Sequence, residues 1–186
     1  MRLVGLLASL TGGSPEWDRV PQAVEPTPTE ARSLLAGETV VRQQTGKGAS
    51  RGVAMAWVEA PPSAVWAVIL DVERYVEFLP YVTASKLVDG GAELELTTKG
   101  YVTRYKQTTI DHSADGYVTF EMKPLGWSPM RSTAGWWRVS AWKGGTLVVY
   151  SVDVATAWYL PKSTHDRAAA IGLPRMVELV AERARP

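Results

Sequence analysis

The chain of 186 residues contains no cysteine. That excludes disulfide bridges, thiolate nucleophiles and cysteine-built zinc or iron–sulfur centres. Histidine is almost as scarce, with 2 in the chain. They stand in the isolated pairs Asp111-His112 and His165-Asp166, and neither pair has the ligand spacing of a metal motif, so no metal is expected. An excess of one charge is also missing: 20 basic residues are interleaved with 19 acidic ones for a formal net charge of +1. Without a clustered basic face, nucleic acid is not an expected partner. No apolar run approaches the about 20 residues that a membrane-spanning helix needs. Phenylalanine is down to 2 residues, whereas tryptophan reaches 8. Tryptophan brings a large apolar area and one N–H that needs a partner. A stock of Trp and Tyr suits the wall of a shaped apolar cavity, although any single Trp serves equally well as core filling.

The length allows one domain with a substantial core and is too short for two comfortable ones. Residues 1–37 form a lead-in, and 38–186 form the domain. Met1-Arg2, the apolar stretch Leu3–Leu10 and the small residues Thr11–Ser14 make a minimal secretory-signal pattern. The alternative is a short N-terminal helix. The first reading predicts a periplasmic or secreted protein and the other a cytoplasmic one. Residues from Pro15 to Pro28 lack periodicity and are expected to be loosely held on the surface or removed. Thr29–Gly37 predicts a short helix with Thr29 as N-cap and Gly37 as the stop.

Beyond it, Glu38–Thr45 and Val53–Ala60 read as strands around a glycine-rich turn, Gly46–Gly52. A helix follows from Ser63, placed as its N-cap, with Val65, Ile69 and Val72 on the buried face. Tyr75, Phe78 and Leu79 continue into another short helix that Pro80 ends. The period then becomes two. Strands are expected near Ala84–Val88, Ala92–Lys99, Tyr101–Asp111, Tyr117–Met122, Gly135–Trp142 and Thr146–Ala155, with turns at Gly90-Gly91, Asp115-Gly116 and Gly144-Gly145. The last stretch, Thr164–Arg185, is helical, and Pro174 is expected to kink or restart it. This order predicts an α+β fold, a meander of antiparallel strands curved round a final helix.

Two motifs are weighed against enzymatic readings. Gly48-Ala49-Ser50-Arg51-Gly52 fits the G-x-S-x-G pattern of hydrolases, but that turn must run from a strand into a helix, and here another strand follows. Gly46-Lys47-Gly48 is too short for a phosphate loop and no helix follows it.

Alternation assigns faces to the strands. Trp137, Val139 and Ala141 share one side; Val148, Tyr150, Val152 and Val154 match it; Val118, Phe120 and Met122 do so on the strand between the two central turns. Along Tyr101–Thr109 the inward set is Tyr101, Thr103, Tyr105, Gln107 and Thr109, because Val102, Arg104, Lys106 and Thr108 suit solvent better. Arg104, Glu121, Arg138 and Asp153 then face outward. A general acid or base must reach its substrate, so this parity argues for binding without catalysis. A slip of one residue would bring Arg104 inside. The apolar loop Lys123–Met130 is either a lid over the interior or a loop folded back on the core, with Ala157–Pro161 as the opposite lip.

The segments Val58-Glu59-Ala60-Pro61-Pro62-Ser63-Ala64-Val65-Trp66 and Asp71-Val72-Glu73-Arg74-Tyr75-Val76-Glu77-Phe78-Leu79-Pro80 carry a resemblance. The latter segment is similar to the D-[VF]-x-x-Y-x-x-F-L-P pattern of the START-like (SRPBCC) superfamily, the polyketide cyclase/dehydrase and coenzyme Q-binding group. Gly135–Val139, Gly145–Tyr150 and Gly172-Leu173-Pro174 resemble its late strands and covering helix. The likeness runs from about Glu38 to the end. It implies a helix-grip fold, a curved antiparallel sheet wrapped around a long C-terminal helix with an internal cavity. It further implies a cavity that binds or transports a lipid, isoprenoid, quinone or polyketide-like molecule, with a polyketide cyclase or aromatase as the alternative. The expected ligand-binding residues are Tyr101, Thr103, Tyr105, Phe120, Met122, Trp137, Tyr150, Val152 and Met176. No cofactor is expected, and a transient membrane contact is compatible with such cargo.

Overall fold

The computed structural model describes residues 17–46, 49–98, 101–128, 130–156 and 162–186, and side chains outside 43–51, 98–101, 129–130 and 156–171. In chain order the elements are α1 (Pro28–Leu35), β1 (Val40–Gly46), β2 (Ala49–Val58), α2 (Pro62–Leu70), α3 (Tyr75–Phe78), β3 (Val82–Val88), β4 (Gly91–Thr98), β5 (Tyr101–His112), β6 (Tyr117–Pro124), β7 (Met130–Trp142), β8 (Gly145–Thr156) and α4 (Lys162–Ala184). The strands form one curved sheet, β1-β2-β8-β7-β6-β5-β4-β3, antiparallel at every junction. Only β1 and β2 leave sequence order, because β8 returns to pair with β2.

The inner face is set by small residues on β2. Ala54, Ala56 and Val58 belong to the core cluster that α4 closes with Leu173, Val177, Val180, Ala181 and Ala184. A Cβ at Gly52 would lie 2.0 Å from Leu173 Cδ1, so the bare backbone there lets α4 settle close to β2. Helix α2 adds Val65 and Ile69 to this cluster. Another cluster joins Val72, Tyr75, Leu79 and Leu179 to Val82, Ala92 and Leu94 at the β3–β4 end.

The outer face is apolar at the other end. Met55, Leu147 and Val149 pack with Leu34 of α1, flanked by Val24, Trp57, Trp136 and Trp142. From residue 17 onward, the segment expected to be loosely held is tied down. The Asp18 carboxylate accepts from Thr119 Oγ1 at 2.6 Å and lies 2.9 Å from His112 Nε2. Arg138 donates to the Pro21 carbonyl and Arg42 to that of Glu25, each at 2.9 Å.

Three local expectations are corrected. Helix α1 is capped by Thr27, not Thr29: Thr27 Oγ1 accepts from the Glu30 N–H, and the Glu30 carboxylate accepts from the Thr27 N–H. Pro28 explains the shift, since its fixed φ suits the first helical position. Gly37 is the stop, as expected, with φ +86°. Helix α2 begins at Pro62 for the same reason, with Pro61 rather than Ser63 at the cap position and no side-chain cap. Helix α4 neither ends nor restarts at Pro174 but runs through it. Pro174 forfeits one backbone hydrogen bond, and packing on the sheet from Leu173 to Ala184 holds the helix together. Ser50 lies within β2, a strand paired with β1 on one side and β8 on the other, and no helix follows it directly, so the strand-to-helix turn of a hydrolase elbow is not formed there.

Gly135 leaves room on β7 for the Phe120 ring. An added Cβ would sit 2.2 Å from the Ser151 carbonyl and 2.8 Å from Phe120 Cζ. Gly135→Ala should therefore cost about 2 kcal/mol or more, read as a lower urea midpoint at unchanged slope; an unshifted midpoint would contradict this packing. The Glu30 carboxylate also receives Arg42, at 2.8 and 2.5 Å. That hydrogen-bonded cation and the Thr27 amide hold its pKa down at about 2 against an ordinary 4.5. A depressed carboxylate stabilises the fold above its unfolded pKa and loses that contribution as pH falls through the folded one. Glu30→Gln should melt below wild type at pH 7, with the gap narrowing from about pH 4.5 downward and closing near pH 2; a gap independent of pH would refute it.

Candidate functional site

Residues paired across an antiparallel ladder share a face. Thr103 pairs with Leu96, Tyr105 with Leu94 and Gln107 with Ala92, and Leu94 and Ala92 pack against Leu179 of α4. On the other side Gln107 pairs with Met122 and Thr109 with Phe120. Thr103, Tyr105, Gln107 and Thr109 therefore face the interior, as the alternation predicts. Arg104 faces solvent, its side chain 72% exposed and 3.1 Å from Glu95. Glu121 and Arg138 lie on the outer side too, one paired with Lys123 and the other bonded to Pro21.

The interior centres on an aromatic group. Trp137, Phe120 and Tyr150 are 4%, 5% and 7% exposed. Tyr150 lies 4.3 Å from the Trp137 ring and 6.1 Å from the nearly parallel Phe120 ring, centroid to centroid. Met122 and Met176 are half-buried and bridge both inner clusters, and Val152 packs at the edge of the first. Thr103 is half-buried. The Tyr105 and Ser128 hydroxyls are 3.0 Å apart, which ties the β6–β7 loop to β5. Gln107 Nε2 donates to Thr109 Oγ1 at 3.1 Å. Of the expected ligand-binding residues, the Tyr101 side chain lies outside the described residues, as does the lip Ala157–Pro161.

The helices cover this face unevenly. Helix α4 packs on β1, β2 and β8, α2 on β7 and β8, and α3 on β3. Among the described residues no helix backbone lies close against β5 or β6. Yet Tyr105, Gln107 and Phe120 on those strands are buried. Phe120 shares its cluster with side chains of α2 and α4. The β6–β7 loop carries Leu125 and Trp127, 50% and 71% exposed, and Val102 on β5 and Tyr81 just before β3 are 59% and 54% exposed.

The phenol of Tyr75 donates to the Ile69 carbonyl at 2.6 Å. Burial raises the pKa values of Tyr75 and Tyr150 far above the ordinary phenol value, with smaller contributions from Asp71 and Tyr75 respectively. Both are neutral hydroxyls at any physiological pH. Sequence reasoning missed Tyr75 as an interior phenol and the Asp18–His112–Thr119 contact. The latter joins residues 94 and 101 positions apart, and no local pattern marks it. It lies on the outer face, where it fastens the lead-in. Among the described residues no group of His, Asp and Glu is arranged to hold a metal ion.

Several known proteins resemble this chain. Residues 58–178 match the family described as polyketide cyclase/dehydrase and lipid transport. No relative is found among curated proteins. Among solved structures, the Zhui aromatase/cyclase from Streptomyces sp. R1128 is 17% identical with a TM-score of 0.62, over 73% of this chain and 93% of that one. A START superfamily protein from Mycobacterium smegmatis is 12% identical with a TM-score of 0.62, over 72% and 96%. A STAR-related lipid transfer protein from Xanthomonas axonopodis is 15% identical with a TM-score of 0.57, over 80% and 93%. At these identities the structures share the fold alone. A family match over more than half of its length places this chain in the polyketide cyclase/dehydrase and lipid-transport family, with the helix-grip fold that the solved structures share.

Proposed function

We propose that the chain binds or carries a hydrophobic small molecule, of lipid, isoprenoid, quinone or polyketide-like class, between the inner faces of β5–β7 and the helix layer. One observation carries this reading: β5 and β6 present sheltered apolar and hydroxylic side chains that no helix backbone among the described residues closely approaches, with Phe120 and Met122 reaching toward α2 and α4. Thr103, Tyr105, Phe120, Met122, Trp137, Tyr150, Val152 and Met176 form the wall. Ligand pockets commonly combine such an apolar lining with a few hydrogen-bonding groups. Burying a few hundred Å² of ligand at about 25 cal/mol per Å² gives several kcal/mol before ordering costs, which makes micromolar the upper limit of the affinity expected. The family description and the names of the similar structures support both a carrier and a cyclase. The outward parity of Arg104 favours the carrier.

Native mass spectrometry of protein from its own host, with organic extraction, should show a co-purifying hydrophobic compound. The fluorescent probe N-phenyl-1-naphthylamine should bind with micromolar affinity. Thr103→Trp, which fills the uncovered region, should weaken it about tenfold with little loss of stability, while Arg104→Ala should leave it unchanged. Full probe affinity in Thr103→Trp would remove the site from this face. Loss of turnover of a polyketide-like substrate in Arg104→Ala, with binding intact, would establish the cyclase instead.

We further propose that cargo enters and leaves while Trp127, Leu125, Val102 and Tyr81 touch a bilayer. Exposed large apolar side chains of this kind suit a contact surface, and Trp and Tyr favour the membrane–water interface. Trp127→Ser should slow transfer of bound probe to phospholipid vesicles without changing its affinity; an unchanged transfer rate would rule the contact out.

A further inference from the structure

Tyr150 holds a polar atom that no described residue satisfies. The residue is 7% exposed, its ring lies between Trp137 and Phe120, and its neighbours across the ladder are Ala54 and Trp137. The phenols of Tyr75 and Tyr105, also buried on the inner face, are paired, with the Ile69 carbonyl and Ser128 respectively. The Tyr150 hydroxyl has no hydrogen-bond partner among the described residues. A buried hydroxyl without a partner is destabilising, and native proteins seldom leave one so.

The charge pattern narrows what would satisfy it. Arg104, Glu121 and Arg138 lie on the outer face. On the helix side, Glu77 pairs with Arg183, and Arg175 with Glu178 and Glu182, all at the surface. Asp111 shares the inner parity through Val118, but it is exposed at the end of β5 and accepts from the Ser113 N–H, so it offers the aromatic group no cation. A carboxylate or phosphate brought there would be buried without a counter-ion, which is far costlier than burying a neutral oxygen. Resting on the binding reading above, we infer that Tyr150 is the ligand's polar anchor and that the ligand is uncharged, with a carbonyl or similar oxygen accepting the Tyr150 hydroxyl. Fatty acids and phospholipid head groups are thereby excluded from this position. The hydroxyl donates without losing its proton, because burial keeps the phenol neutral.

Three tricyclic probes of one size test the assignment: fluorene, 9-fluorenone and fluorene-9-carboxylate, with binding followed by quenching of intrinsic tryptophan fluorescence. Wild type should bind fluorenone about tenfold more tightly than fluorene, and the carboxylate more weakly than either. Tyr150→Phe should bring fluorenone down to the affinity of fluorene and leave fluorene unchanged. If fluorenone keeps its advantage in Tyr150→Phe, the anchor is wrong while the binding reading stands. If no probe binds wild type, the binding reading itself fails and the anchor with it. The ligand-free melting temperature provides an independent check. Removing an unsatisfied hydroxyl should leave it unchanged or raise it by up to about 3 °C. A fall of several degrees would show that the hydroxyl holds the fold through a buried water, and would overturn the proposal.

Discussion

Gly52, Ala54 and Ala56 give β2 an inner face almost bare of side chains, and α4 lies in the space they leave. A helix is roughly 10 Å across and strands are spaced about 4.8 Å, so one helix covers two or three strands of a sheet. Drawn to β2, α4 keeps its backbone closest to β1, β2 and β8, and meets β6 and β4 through side chains alone, Phe120 on one and Ala92 and Leu94 on the other. The helices α2 and α3 close the two ends of the gap without crossing it. The sheltered, uncovered region thus follows from where the small residues lie along β2, and the chemistry proposed for it follows from the alternation of β5 and β6.

The sheet has another apolar side, and this redistributes the tryptophans. A Trp-rich chain suggests a Trp-lined cavity, yet Trp57, Trp136 and Trp142 pack in the outer cluster beneath α1 and the lead-in. Trp57 Nε1 donates to the Trp142 carbonyl there at 3.1 Å. Trp127 is exposed, and Trp137 remains as the deeply buried inner one. Flat strands with both faces covered need large side chains on both, and composition cannot say which face receives them. Toward β3–β5 the outer face becomes polar, with Lys86 opposite Glu93 and Arg104 opposite Glu95.

Strand parity was legible because each strand is long and its two faces differ chemically. Along β5, Arg104 and Lys106 against Tyr105 and Gln107 leave one sensible orientation. Helix starts were less legible. Ser63 and Thr29 are good caps in isolation, but a proline immediately before each already supplies the first helical position. Pro174 looks like a break because sequence shows the missing donor and not the packing that compensates for it. The satisfaction of hydroxyls was not legible at all. Tyr105 finds Ser128 and Tyr75 finds the Ile69 carbonyl, while Tyr150 finds no partner among the described residues, and each outcome is a matter of tertiary contact.

The outer cluster makes the two flanks of the sheet mechanically unequal. On β7, β8 and β2 each backbone lies between two apolar layers, with the lead-in fastened across β6 and β7 by Asp18 and Pro21. On β3, β4 and β5 the outer side meets water. Local opening is cheapest where few buried contacts must be broken. Amide protons of β3–β5 should therefore exchange with solvent well before those of β8, so one jaw of the grip stays fixed while the other yields. On the binding reading proposed above, a molecule too large to slip past side chains would enter by the yielding jaw.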